Sequence, residues 1–385
     1  MKFRKRADSC NTMSEDEIST SHLCNNYRHL LMAMADIALT GQKALLIYLE
    51  DDLPLHAELR QRLLSACPEA DFLFTTDADE IAAFSQLPRW FPPIVQRNVR
   101  FGGPLGLVTP HSYGTPTLRG RRFKRGYVYH SGFHTAKALV SHCDEIVLRE
   151  GGTHNYVTHT IPWAKALLRG FAGRRPRYRV WGDEPWIDRI QVALPEELPQ
   201  SVRAKASRIE MTELLTSLPE NRSRALARAF LETPPPSLRD ADQNALLLTQ
   251  PLDQAGICSF SQQKQFYELV IQMLHDKGYR VFHKPHPRET PCPLPNTEPV
   301  PAQFPIEAWP FAGGKPFDLA VTAFSSALKR SDLGFAKIGL QLIPVEAFKA
   351  SEFSGWPPRV TSTFDKLNMT GRPTTTEAGD PYEIG

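Results

Sequence analysis

Three polar stretches stand directly behind short apolar runs, the places where buried strands end and present side chains to a ligand. The first is Arg149-Glu150-Gly151-Gly152-Thr153, after the run EIVL at 145–148. Glycines there let a ligand approach the backbone, and the Glu150 carboxylate can act as a general base; the same residues also suit a tight turn with a solvated glutamate. The second is Lys284-Pro285-His286-Pro287-Arg288. Its prolines remove backbone donors and push the preceding residues out of the helical region, so the strand stops and presents His286. That histidine can donate to a phosphate oxygen or protonate a leaving group, with Lys284 and Arg288 raising the positive potential; a surface histidine in a proline-rich loop is the plainer alternative. The third is Thr322-Ala323-Phe324-Ser325-Ser326-Ala327-Leu328. Two hydroxyls opening a helix either offer donors to an anion or simply cap the helix. With no Walker-type loop, zinc-protease motif or G-x-S-x-G elbow, nucleotide hydrolysis and serine esterase chemistry lose support.

Positioning these stretches takes buried strands alternating with helices. Helical spacing marks 27–39, 53–66, 135–142 and 262–277, and strand-like runs lie at 43–49 (KALLIYL), 71–75 (DFLFT), 145–148, 245–248, 279–282, 319–322 and 338–343, with a short helix at 306–311. Such alternation implies parallel sheets with crossovers, an α/β fold. Residues 185–240 break the pattern: they are rich in Arg, Glu, Ser and Pro, include an amphipathic stretch at 211–231 and end in Pro234-Pro235-Pro236. The expected organisation is a Rossmann-like domain over 1–185, a helical and Pro-rich connection over 186–240, a second Rossmann-like domain over 241–365 and a flexible tail over 366–385. The first dozen residues also read as poorly ordered, and no internal repeat points to a solenoid.

A chain of 385 residues with 41% apolar content suits two cores, and no apolar run approaches the ~20 residues that span a bilayer. No signal peptide is visible, and six scattered cysteines suggest neither a zinc site nor a disulfide framework, which fits a reducing cytosol. Net charge is +3, yet Arg119, Arg121, Arg122, Lys124 and Arg125 form one basic run and Arg169, Arg174, Arg175, Arg177 and Arg179 another. Such runs are solvated surface or attract anionic headgroups, acidic glycans or nucleic acid. The near-balanced charge and the absence of a known binding module count against nucleic acid. The pair Asp51-Asp52 reads as solvated.

The acidic-Gly, His-Pro and Ser-Ser stretches occur in an order that resembles the bacterial GT-B sialyltransferases, namely the lipooligosaccharide sialyltransferases of glycosyltransferase family 52 and the bacterial polysialyltransferases. That resemblance covers about residues 145–330 and implies two Rossmann-like domains facing a cleft. It places Glu150 as the general base, followed by the glycine turn Gly151-Gly152, with Gly151 where the family has a second acidic residue; an alternative register puts Arg149 first and Glu150 second. It assigns His286-Pro287 and Ser325-Ser326, helped by Lys284, to the donor phosphate. Glu307, in Phe304-Pro305-Ile306-Glu307, falls to the ribose hydroxyls, and Thr249-Gln250-Pro251 to the donor cleft. The implied reaction is an inverting, metal-independent transfer of a sialic or other nonulosonic acid from a CMP-activated donor to a hydroxyl of a cell-surface glycan, with no cofactor. The acceptor is expected to be a capsule or lipooligosaccharide chain, acidic or lipid-linked. Arg121, Arg122, Lys124 and Arg125 would contact that acceptor or the anionic inner membrane, which implies a cytoplasmic protein peripheral to that surface. A CMP-Kdo transferase, which shares Gln-Pro-like and His-Pro motifs, is the alternative; a nucleic-acid-binding protein is the remote one.

Overall fold

A computed structural model describes residues 18–84, 118, 120–152, 155–160, 178–239, 243–328, 334–344 and 347–370. In chain order the first part carries β1 (Thr20–Cys24), α1 (Tyr27–Thr40), β2 (Ala44–Leu49), α2 (Ala57–Ala66), β3 (Ala70–Thr75), α3 (Asp77–Phe84), β4 (Phe123–Val128), α4 (His134–Leu139) and β5 (Cys143–Arg149). A short antiparallel pair, β6 (His159–Thr160) and β7 (Tyr178–Arg179), precedes β8 (Arg189–Val192), α5 (Gln200–Arg203), β9 (Ala206–Arg208), α6 (Met211–Thr216) and α7 (Glu220–Arg228). The rest comprises β10 (Gln243–Leu248), α8 (Phe260–Asp276), β11 (Tyr279–Lys284), β12 (Glu298–Pro299), β13 (Leu319–Thr322), β14 (Gly339–Gln341) and α9 (Trp356–Thr370).

Two parallel sheets result, a seven-stranded one ordered β3-β2-β1-β4-β5-β8-β9 and a five-stranded one ordered β12-β11-β10-β13-β14. The expected α/β fold of Rossmann-like halves is thus present. Each sheet has a point where strand order reverses, between β1 and β4 in one and between β10 and β13 in the other. Crossovers leave those points in opposite directions, which opens a crevice at the carboxyl ends of the strands.

Local chemistry fixes the elements that reach these crevices. Every residue of β2 (ALLIYL) is buried, as expected of a strand covered on both faces. Helix α1 starts where the Asn26 side chain accepts the His29 N–H at 2.8 Å, and it stops at Gly41, whose φ of 64° is left-handed. A capping box between Ser259 and Gln262 opens α8.

The structure revises several sequence expectations. Strand β1 went unread, and β4 lay hidden in the basic run: Phe123, Gly126, Tyr127 and Val128 are buried while Lys124 is exposed. The 211–231 stretch is two helices, broken ahead of Pro219, which lacks the N–H a continuous helix needs. Residues 306–311 contain only a single 3-10 turn, Ile306–Ala308. The strand expected to end at 282 continues to Lys284, because His283 and Lys284 still pair with Leu247 and Leu248. Where the connection was expected, β8 and β9 extend the larger sheet. Residues 366–370, assigned to a flexible tail, form the end of α9. Among the described residues no helix is long and apolar enough to cross a membrane, and Cys24, Cys67, Cys143, Cys258 and Cys292 are free thiols.

Candidate functional site

A cleft of 430 Å³ lies between the carboxyl ends of the two sheets. From the first sheet it receives Asn26, Tyr27 and Arg28 behind β1, Leu53 behind β2, and Glu150, Gly151 and Gly152 behind β5. From the second come Thr249 and Gln250 behind β10, Lys284, His286, Pro287 and Arg288 at the end of β11, Phe324 and Ser325 behind β13, and Glu307 from the 3-10 turn. Residues far apart in the sequence therefore share one wall-to-wall site, including both strand-end stretches and the serine stretch.

Glu150 is 6% exposed, and its Oε2 accepts hydrogen bonds from the Tyr156 hydroxyl at 2.9 Å and the Ala193 N–H at 2.8 Å. Burial, with the Glu150 charge next to it, raises the Tyr156 pKa, so the phenol keeps the proton it donates. Arg149 points the other way: it bonds Gln191 at 3.0 Å and Asp36 at 2.9 Å and stacks 3.9 Å from the Tyr127 ring centre. Of the two residues that the alternative registers bring forward, Glu150 is the one that faces the cleft. Gly151 explains its own departure from an acidic residue, since a Cβ built on it would lie 2.5 Å from the Tyr129 carbonyl oxygen. Gly152 has a φ of 131°, a conformation that side-chain-bearing residues rarely adopt.

The opposite wall is cationic and braced from behind. His286 Nδ1 accepts the Arg288 N–H at 3.2 Å, which leaves the ring proton on Nε2. Burial, and then the charges of Lys284 and Arg288, lower its pKa to about 4, so near neutrality His286 is a hydrogen-bond donor rather than a cation. Lys284 is 8% exposed and donates to the Ala302 carbonyl at 3.2 Å; burial lowers its pKa to about 8, and it stays largely charged at pH 7. Ser325 Oγ accepts the Ala327 N–H at 3.2 Å, so it does cap the following turn, while lining the cleft. The backbone of Ser326 enters that turn; its side chain lies outside the described residues.

Behind this wall stands Glu289, which the sequence reading passed over. Its Oε2 accepts the Thr249 hydroxyl at 2.5 Å and the His286 N–H at 3.1 Å, and its Oε1 accepts the Gln263 amide at 3.0 Å. Thr249 spends its single proton on Glu289, so the contact of its oxygen with His283 Nε2 at 3.0 Å must be donated by the histidine. Burial raises the Glu289 pKa to about 7.

Among the described residues Arg28 and Arg288 form ion pairs across the cleft, and sequence reasoning found neither. Arg28 Nε donates to Glu307 Oε1 at 3.0 Å, and its Nη2 lies 3.6 Å from Glu150 Oε1. Burial opposes the Arg28 charge, and the two carboxylates outweigh it and raise its pKa. Arg288 pairs with Asp52 at 2.9 Å, so Asp52 is more than a solvated strand-end acid. Recognising β1 as the switch-point strand would have drawn attention to Arg28, four residues beyond its end.

Arg121, Arg122, Lys124 and Arg125 do not line the cleft. They lie at the amino end of β4, the far end of the sheet from Glu150, and Arg121, Arg122 and Arg125 pair with Asp71, Asp144 and Glu145. Arg169, Arg174, Arg175 and Arg177 of the second run lie outside the described residues. Among the described residues no group of three or more His, Cys, Asp or Glu side chains is placed to hold a metal ion.

Residues 127–297 match the family described as Alpha-2,8-polysialyltransferase (POLYST). The matched segment contains Glu150, Thr249, Lys284, His286 and Glu289 and stops short of Glu307 and Ser325. No curated protein matches the chain. The match covers less than half of the chain and indicates a glycosyltransferase of the sialyltransferase kind.

Proposed function

We propose that this sialyltransferase-type enzyme moves a sialic acid from a CMP-activated donor to a glycan hydroxyl by direct, inverting displacement. The observation that carries the reading is the convergence, on one cleft, of Glu150 from the first sheet with Lys284, His286, Ser325 and Glu307 from the second. Glu307 would hold the ribose hydroxyls. The phosphate would meet the His286 Nε2–H, the Ser325 hydroxyl and the Lys284 ammonium, with Ser326 beside them. As the acceptor oxygen attacks the anomeric carbon, Glu150 takes its proton, and the electron pair of the breaking C–O bond leaves on CMP. Fixed donors then stabilise the developing phosphate charge in place of a metal ion.

His286 is assigned a hydrogen-bonding role because a neutral imidazole is a poor proton donor. The arriving phosphate, an anion next to the ring, would draw its pKa upward.

Purified protein supplied with CMP-sialic acid and a glycan acceptor tests this reading. Glu150→Gln should lower kcat by at least ~100-fold, the scale of a lost general base, and His286→Ala by ~100- to 1000-fold, the scale of a lost transition-state donor. Full turnover in both variants would refute the assignment, and transfer from CMP-Kdo but not from CMP-sialic acid would refute the donor.

A further inference from the structure

Arg28 occupies the first turn of α1, at the switch point of the larger sheet, and lines the cleft between the two halves. Its Nε faces Glu307 at 3.0 Å and its Nη2 faces Glu150 at 3.6 Å. These two nitrogens form one edge of the guanidinium, the edge that takes both oxygens of a single carboxylate in parallel hydrogen bonds. In the free protein that edge is divided between two carboxylates from opposite halves. Under the function proposed above, both are drawn elsewhere when substrates bind, Glu307 to the ribose and Glu150 to the acceptor hydroxyl. A half-buried guanidinium whose partners turn away needs another anion, because an uncompensated charge in such a site is costly.

Substrate chemistry supplies that anion. The acceptor oxygen sits between Glu150 and the reacting carbon, which places that carbon roughly 6 Å from the carboxylate, two contact lengths away. In a sialic acid the same carbon bears a carboxylate group. We propose that Arg28 binds the carboxylate of the donor sugar and so selects an acidic sugar over a neutral one. The inference rests on the CMP-donor reading; it adds a specificity-determining residue on the first half of the molecule.

Calorimetric titration with three ligands tests it: CMP, a CMP-sialic acid analogue fluorinated beside the reacting carbon to block transfer, and the methyl ester of that analogue. The unsubstituted protein should bind the acid ~10- to 100-fold more tightly than the ester, the range of a charge-assisted pair. Arg28→Met should bring that ratio to within about threefold while CMP affinity stays within about threefold of the unsubstituted protein. Arg28→Lys, which keeps the charge without the fork, should retain an intermediate ratio, and it carries the test should the Met variant fail to fold. A ratio unchanged in the variants, no acid preference in the unsubstituted protein, or CMP affinity falling as far as that of the acid analogue would each overturn the inference. Loss of CMP binding in the unsubstituted protein would instead overturn the donor reading beneath it.

Discussion

Gly151 shows how a single residue can set the geometry of the site. The backbone after β5 passes so close to the Tyr129 carbonyl that a Cβ would sit 2.5 Å from that oxygen, and the Gly151 N–H donates to Asn155 at 2.8 Å. Glu150 depends on this approach, because its Oε2 must reach both Tyr156 and the Ala193 N–H. Gly151→Ala should therefore destabilise the protein by about 1–3 kcal/mol, the usual cost of overpacking, and should lower kcat as Glu150 is displaced. Denaturant melts and turnover measured on the same preparation check this, and wild-type values in both would show that the approach is not obligatory. The residue types at this site were legible in the sequence because glycine, proline and serine act through local backbone chemistry. Arg28, Asp52 and Tyr156 were not, since each works through a partner at least six positions away in the chain.

At the scale of elements, the expected strands proved most legible where apolar residues run unbroken, as in β2, and least where one face is charged, as in β4. The turn after β11 is legible from its prolines, whereas its brace, Glu289, carries no local signal and depends on Thr249 and Gln263, both distant in the chain. The end of β11 and this turn also contribute to the pH response. His283 and His286 both have folded pKa values of about 4, below the usual 6.5, with burial the largest cause. Their contribution to stability is present above pH 6.5 and is lost as pH falls toward 4. Glu289 has the opposite sign: raised to about 7, it contributes fully below its unfolded value of 4.5 and loses that contribution as pH rises through 7. Glu289→Gln keeps a hydrogen-bond acceptor and removes the titration. Relative to wild type it should gain on the order of 3 kcal/mol between pH 4.5 and 8. His286→Asn should lose less stability than wild type when acidified from pH 6.5 to 4.5. Chemical denaturation at three pH values measures both slopes, and parallel curves for all three proteins would contradict the assignment.

At the scale of the whole molecule, two sheets suggest two independent domains, but the packing ties them together. One continuous apolar cluster takes in Leu30, Leu31 and Ile37 of α1, Met211 and Leu215 of α6, Leu226 of α7, Leu246 of β10, Phe282 of β11, and Phe304 and Trp309 near the 3-10 turn. Helix α7 is pinned from both sides, since Arg222 pairs with Glu69 at 2.7 Å and Arg228 donates to the Ala312 carbonyl at 3.0 Å. A core shared in this way couples the stability of the two halves, because neither can open without exposing apolar surface of the other. It also holds Glu150 and His286 on facing walls without relying on the exposed Arg288–Asp52 pair, which contributes little on its own. Leu215, fully buried between the halves, offers the test. Leu215→Ala should cost about 2–5 kcal/mol, the range for a large-to-small core change, and should lower hydrogen-exchange protection in β2 and β13 by similar amounts. Protection lost in β2 alone, with β13 unchanged, would mean that the halves unfold separately and that the cleft is held by its ion pairs after all.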